Sequence, residues 1–302
     1  MMVKLMKMIE FAGWKNCVQI ENGDFRLIVT TDVGPIIIGA FFKDSENLFY
    51  VNPDIAGKTG GDEWKFYGGH RLWHSPEARP RTYEVENSKI EFKKLEDGCY
   101  FSYGTNKMSG MHKSFSVKPM KNDMFRIEHI LRNDSLWDIE VAAWALSVMA
   151  PGGTAIVPQP QGEKTALLPN RYLTIWPYTD MSDKRLTWGN KFSLLRQDAA
   201  AETPCKFGLN CEDGWLAYVN KGFALIKSFE HLVDAEYPDN GCSIEVYTND
   251  KMLEIETLSP LYLLSPGEEI LHTEYFRAVE KVFPVNTGKD AEEFAKNFHP
   301  AR

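Results

Sequence analysis

Short runs of β-branched and aromatic residues, separated by turn-forming pairs, set the pattern of this chain. Val18-Gln19-Ile20 meets Phe25 to Val29 across Asn22-Gly23, Ile90 to Leu95 meets Tyr100 to Tyr103 across Asp97-Gly98, and Trp215 to Val219 meets Phe223 to Phe229 across Lys221-Gly222. Ser243 to Tyr247 follows Asn240-Gly241, and Asn249-Asp250 separates it from Met252 to Glu256. Such pairs tolerate the positive φ of tight hairpins, so the pattern predicts antiparallel strands one after another. Met124 to Leu131 keeps its polar residues mostly on one alternation and predicts a further strand.

Helical periodicity is scarce. Its clearest instance predicts one short helix over 290–298, with Asp290 capping the first turn and Phe294 and Phe298 on one face. Turn signals recurring roughly every 8–12 residues point to an all-β sandwich or barrel, a class that runs to roughly 200–250 residues or more as one domain. Residues 1–302 are therefore read as a single domain. The Pro- and aromatic-rich stretch Pro158 to Asn190 reads as a functional loop rather than a linker.

Composition narrows the function classes. Apolar residues make up 43% and charged residues 25%, close to the globular average, so a proper core is expected. Lys plus Arg is 34 against 42 Asp plus Glu, a net charge of −8, which argues against a nucleic-acid partner. The longest apolar runs, Val33 to Phe42 and Val141 to Ala150, fall well short of the roughly 20 residues of a membrane span. The N-terminus lacks the form of a secretory signal, and the five cysteines lack C-x-x-C spacing, so a cytoplasmic protein without a disulfide framework is expected.

The familiar catalytic signatures are missing. Gly57-Lys58-Thr59 lacks the upstream glycine of a phosphate-binding loop, and neither G-x-S-x-G nor H-E-x-x-H occurs. Two other features carry candidate chemistry. Tyr67 to Glu77 places His70, Arg71, Trp73 and His74 between Gly68-Gly69 and Pro76, which reads as an irregular loop. Imidazoles on such a loop lack fixed ligand geometry, so neither a metal nor another cofactor is expected, and chelation should leave ligand binding unchanged. On the strand Met252 to Thr257, Glu254 and Glu256 share a face amid Leu253, Ile255 and Leu258; this is either a solvated face or a general base held in a cleft.

The motif Gly-Gly-His-Arg-Leu-Trp-His-Ser-Pro-Glu at 68–77, the stretch from Tyr237 to Thr248 containing Asp239, and Leu253-Glu-Ile-Glu-Thr-Leu-Ser-Pro at 253–260 followed by Ser-Pro-Gly-Glu resemble galactose mutarotases (aldose 1-epimerases). The resemblance covers roughly residues 15 to 280 and implies a supersandwich of stacked antiparallel sheets. It also implies anomer interconversion of a small-molecule sugar, with Glu256 at the position of the family's base. The family's histidine in an Asn-His-x-Tyr-Phe-Asn-type motif would fall near 143–148, where this chain reads Ala-Trp-Ala-Leu-Ser-Val. His74 or His70 would then supply the acid, Arg71 would orient a hydroxyl or the ring oxygen, and Trp73 and Trp144 would offer aromatic faces, Trp144 as a stacking platform. A non-catalytic sugar-binding protein is the second possibility. A third is an acidic or phosphorylated sugar held by Arg71, Arg185 and Lys206.

Overall fold

A computed structural model describes residues 6–298. Strands account for 47% of the chain and helix for 5%, as the hairpin pattern predicts. They form an eleven-stranded and a ten-stranded sheet. The first sheet runs in spatial order β1 (Met6–Phe11), β2 (Trp14–Asn22), β3 (Phe25–Thr30), β4 (Ile36–Phe42), β5 (Gly69–Ser75), β10 (Ile139–Met149), β19 (Leu253–Leu258), β18 (Ile244–Thr248), β15 (Cys205–Leu209) and β12 (Leu173–Ile175), with β20 (Tyr262–Leu264) also pairing with β10. The second runs β13 (Leu186–Thr187), β14 (Phe192–Arg196), β11 (Thr154–Pro158), β16 (Trp215–Asn220), β17 (Phe223–Phe229), β21 (Glu269–Glu280), β9 (Met124–Asn133), β8 (Met111–Pro119), β7 (Cys99–Thr105) and β6 (Glu91–Lys94). All of the strand pairs are antiparallel.

The turn residues do what their chemistry allows. Asn220 pairs with Phe223 across a two-residue turn in which both Lys221 and Gly222 have positive φ, the geometry that matches strand twist. β18 and β19 are joined through Asn249, whose Oδ1 accepts from the N–H groups of Lys251 and Met252. The main core lies between the sheets: Val18, Leu27, Phe207, Val246 and Ile255 of the first face Phe101, Phe115, Phe125, Leu225 and Phe276 of the second.

The C-terminal helix α2 spans Gly288–Phe298 and covers Trp215 and Phe192 with Ala291 and Phe294. Its cap is shared rather than centred on Asp290. Thr287 Oγ1 accepts from the N–H of Asp290, while Asp290 Oδ2 accepts from the N–H of Thr287, a reciprocal capping box. A single turn, α1 (Pro238–Gly241), precedes β18 and holds Asp239 and Asn240 at positive φ. No helix among the described residues is long and apolar enough to cross a membrane.

All five cysteines are free and buried, and burial pushes the thiols of Cys17, Cys99 and Cys205 up to about 11. The thiolate is the reactive form. Native protein at mildly alkaline pH is therefore expected to stay inert to a thiol-specific disulfide reagent until denaturant is added. Rapid labelling of the folded chain would contradict this burial.

Candidate functional site

The segment expected to be an irregular loop is instead strand β5, buried on both faces along its whole length. Gly68 and Gly69, both at positive φ, mark the entry to a central strand, and Pro76 marks its end; flanking breakers of this kind do not distinguish a loop from a short strand. The strand's alternation sorts its side chains: His70, Leu72 and His74 turn toward the second sheet, whereas Arg71 and Trp73 turn to the outer face.

On that outer face the register assembles a polar floor. Arg71 lies in one row with Leu146, Glu256 and Glu245, and Val148, Glu254, Tyr247 and Lys206 form the adjacent row. Trp73, Trp144 and Leu258 form the third. Four strands, β5, β15 and the β18–β19 hairpin, thus deliver two cations and three carboxyl groups to one surface.

Glu256 is fully buried. Its Oε2 accepts from the indole Nε1 of Trp144 at 2.7 Å and from Lys206 Nζ at 3.2 Å, while its Oε1 has no hydrogen-bond partner among the described residues. Lys206 also meets Glu245 Oε2 at 2.6 Å and is sandwiched between the rings of Trp144 (4.7 Å) and Trp176 (4.5 Å). Burial alone would lower the lysine, but Glu245 and Glu256 outweigh it and hold the ammonium well above its usual range. Burial pushes Glu245 well above the usual carboxylate range, with Lys206 opposing the shift.

Glu254 differs from its neighbour. Burial and then repulsion from Glu256 push it up to about 7, with Arg71 opposing the shift. Arg71 is only 3% exposed, and its guanidinium lies 5.4, 5.2 and 4.7 Å from the rings of Trp64, Phe66 and Trp73. Its Nε has no hydrogen-bond partner among the described residues; burial lowers its pKa, and the charges of Glu254, Glu86 and Glu256 together with the π faces offset part of that desolvation.

Aromatic walls stand over the floor. Trp64, Trp73 and Tyr83 pack edge to face on one side, where Tyr83 donates to Glu77, and Trp176 and Tyr178 stand on the other, Tyr178 edge-on to Tyr247. The Tyr83 wall is anchored from behind: Glu84 and Glu86, on either side of Val85, each meet the buried Lys113 of β8 at 2.5 Å.

Of the residues singled out from sequence, the structure gathers Arg71, Trp73, Trp144, Lys206 and Glu256. Asp239 sits nearby on α1, with its Oδ2 3.5 Å from Ser75 Oγ. Neither candidate acid reaches this floor. His70 bonds Ser147 and His129 between the sheets, and His74 is fully buried on the same side, where burial lowers it to about 3 with Lys113 and Arg81 adding to the effect. Arg185 does not complete a cationic pocket either, because Asp183 and the Thr203 carbonyl take its guanidinium. Trp144 donates a hydrogen bond to Glu256, a role different from the expected stacking platform. Glu245, Tyr247, Trp64 and Tyr83 were not singled out. A glutamate between Ile244 and Val246 carried for Glu245 the same signal that picked out Glu254 and Glu256.

No known family model matches the chain, and no curated protein matches it in sequence. Solved structures do match its shape. A galactose mutarotase-like protein from Lactobacillus casei aligns with a TM-score of 0.58 at 10% identity over 87% of this chain and 100% of its own. A galactose mutarotase-like protein from Clostridium acetobutylicum aligns at 0.53 and 10%, covering 91% and 98%. A galactose mutarotase related enzyme from Lactobacillus acidophilus aligns at 0.52 and 13%, covering 89% and 99%. The chain has the galactose mutarotase-like all-β fold.

Proposed function

We propose that the outer-face cleft binds a neutral aldose and interconverts its anomers, with Glu256 as general base and Glu254 as general acid. One observation carries this reading: two carboxyl groups on one strand face stand in different environments, Glu256 hydrogen-bonded by Trp144 and Lys206 and Glu254 pushed up to about 7. Residues two apart on a strand are about 6.5–7 Å apart along the backbone, a span comparable with a pyranose ring. Glu256 would take the anomeric hydroxyl proton through its unpartnered Oε1 while Glu254 gives its proton to the ring oxygen, opening the ring. After rotation about C1–C2, Glu254 takes back the C5 hydroxyl proton, and the new anomeric oxygen receives the proton from Glu256. Arg71 would orient a hydroxyl, and the aromatic walls suit the C–H faces of a sugar. The free cysteines fit a reducing cytoplasm.

A binding-only role is the second reading. In it the sugar rests against the aromatic walls without reaching Glu256 and Glu254, which are 0% and 8% exposed. An acidic or phosphorylated sugar fits less well, since Arg185 is engaged elsewhere and Lys206 already meets two carboxylates.

The catalytic reading predicts a pH profile. The acid must carry its proton, so the interconversion rate, followed by exchange NMR between anomers, should fall as pH rises through about 7, and Glu254→Gln should be slow with that limb removed. Stability moves with the same sign. A carboxyl whose folded pKa lies above its ordinary value of 4.5 favours the fold most below that value, and the contribution fades as pH rises through about 7. A native rate that keeps rising through neutrality would remove Glu254 as the acid.

A further inference from the structure

A second cluster of chemistry-bearing groups lies beneath the cleft, between the sheets. His70 of β5, His129 of β9 and Glu274 of β21 are all fully buried, and they converge on one point. The Nε2 atoms of His70 and His129 are 3.1 Å apart, and Glu274 Oε2 is 3.0 Å from His129 Nε2 and 3.3 Å from His70 Nε2.

With Glu274 held as a carboxylate by its ion pair with Lys227, protons alone do not satisfy this triangle. A hydrogen bond needs a donor facing an acceptor, and three mutually adjacent atoms in a ring cannot alternate between the two roles. If both imidazoles carry a proton at Nε2 and donate to Glu274, two N–H groups face each other. If only one carries it, a lone pair of the other faces the carboxylate. A buried polar contact left mismatched in this way is costly. A cation removes the mismatch, because all three atoms can then present lone pairs to it. For edges of 3.0–3.3 Å, a point roughly 2 Å from all three atoms lies just off their plane, about the length of a Zn–N or Zn–O bond.

The surroundings hold the ligands in place. His70 Nδ1 is 2.8 Å from Ser147 Oγ. The second carboxylate oxygen of Glu274 meets Lys227 Nζ at 2.7 Å and accepts from Thr257 Oγ1 at 2.6 Å, which leaves Oε2 turned toward the imidazoles. Outer partners of this kind orient the ligands in metal sites. The rings of Phe49 and Phe276 lie against His70 and that of Phe115 against His129, so the pocket is walled by apolar groups.

We propose that His70, His129 and Glu274 form a structural site for an imidazole-preferring divalent transition ion of the zinc class, stapling the two sheets beneath the cleft. Two neutral imidazoles and a single carboxylate already shared with Lys227 suit such an ion better than magnesium or calcium, which seek several oxygens. The site stands apart from the sugar chemistry, since its ligands face away from Glu256. The expectation of no metal rested on placing His70 in an irregular loop, and that premise fails here.

The test uses the whole chain. Protein expressed in zinc-supplemented medium and dialysed should retain about one ion per chain by elemental analysis. After stripping with a chelator, Co²⁺ should restore thermal stability and give visible ligand-field absorption that Zn²⁺ abolishes and Mg²⁺ does not. Glu274→Gln and His129→Gln should weaken Co²⁺ binding by more than about tenfold, whereas His231→Gln, a histidine stacked on Tyr237 away from the site, should leave it unchanged. If the ligand variants fail to fold, the cobalt spectrum and melting shift of the native chain decide alone. Native protein that carries no ion and shows no cobalt spectrum or stabilisation would overturn the site, as would cobalt binding that persists in both folded ligand variants.

Discussion

Replacing Glu256 by Gln is expected to slow anomer interconversion by roughly 10²–10⁴-fold, the usual contribution of a positioned base, while sugar affinity changes only a few-fold. The substitution keeps shape and size, and Trp144 can still donate to the amide oxygen. Lys206 keeps Glu245 at 2.6 Å, so the buried ammonium is not left unpaired and the fold should survive. Polarimetry or exchange NMR measures the rate, and calorimetry measures the binding. Full activity in Glu256→Gln would place the base elsewhere, with Glu254 the next residue to replace. Measurable binding by a native protein that interconverts no common aldose would favour the binding-only role.

The second large effect is on stability. Lys113→Met should destabilise the protein by about 3–5 kcal/mol near neutral pH, because it leaves Glu84 and Glu86 buried without the cation between them. Burial already pushes Glu86 above the usual carboxylate range, with Lys113 pulling it down. Without the lysine, ionisation of Glu86 becomes harder, so acidification should recover part of the loss by protonating it. In the native protein, burial opposes the charge on Lys113, but the two glutamates outweigh it and raise its pKa, so its contribution holds until strongly alkaline pH. Urea unfolding at mildly acidic and mildly alkaline pH reads both. A loss under about 1 kcal/mol, or one that does not shrink on acidification, would mean the triad is not the anchor of the Tyr83 wall.

The hairpins were legible because their determinants are local. Asn22-Gly23, Asp97-Gly98 and Lys221-Gly222 all join strands, with positive φ at Gly23, Lys221 and Gly222 but at neither Asp97 nor Gly98, and α2 forms where the apolar spacing places it. Strand β5 was misread because Gly68-Gly69 and Pro76 delimit a strand as readily as they delimit a loop, and a strand buried on both faces need not alternate polar with apolar residues. Lys206 reads from the sequence as part of a cationic pocket, and nothing local shows that Glu245 and Glu256 pair with it.

By itself, the sequence determined the strand-rich class, the turns and the fact that Glu254 and Glu256 point the same way, since alternation along a strand is a property of the backbone. The same rule separates His70 and His74 from Arg71 and Trp73. Alternation does not say which side becomes core and which becomes cleft; only the stacking of the two sheets decided that. It turned the histidines inward toward His129 and Glu274 and left Arg71 beside the carboxyl groups. The pairings that give the site its charges, Lys206 with Glu245 and Glu256 and Lys113 with Glu84 and Glu86, join segments far apart in the chain. The first arises from strand order and register and the second from the packing of residues 84–86 against β8, neither of which a local run of residues encodes.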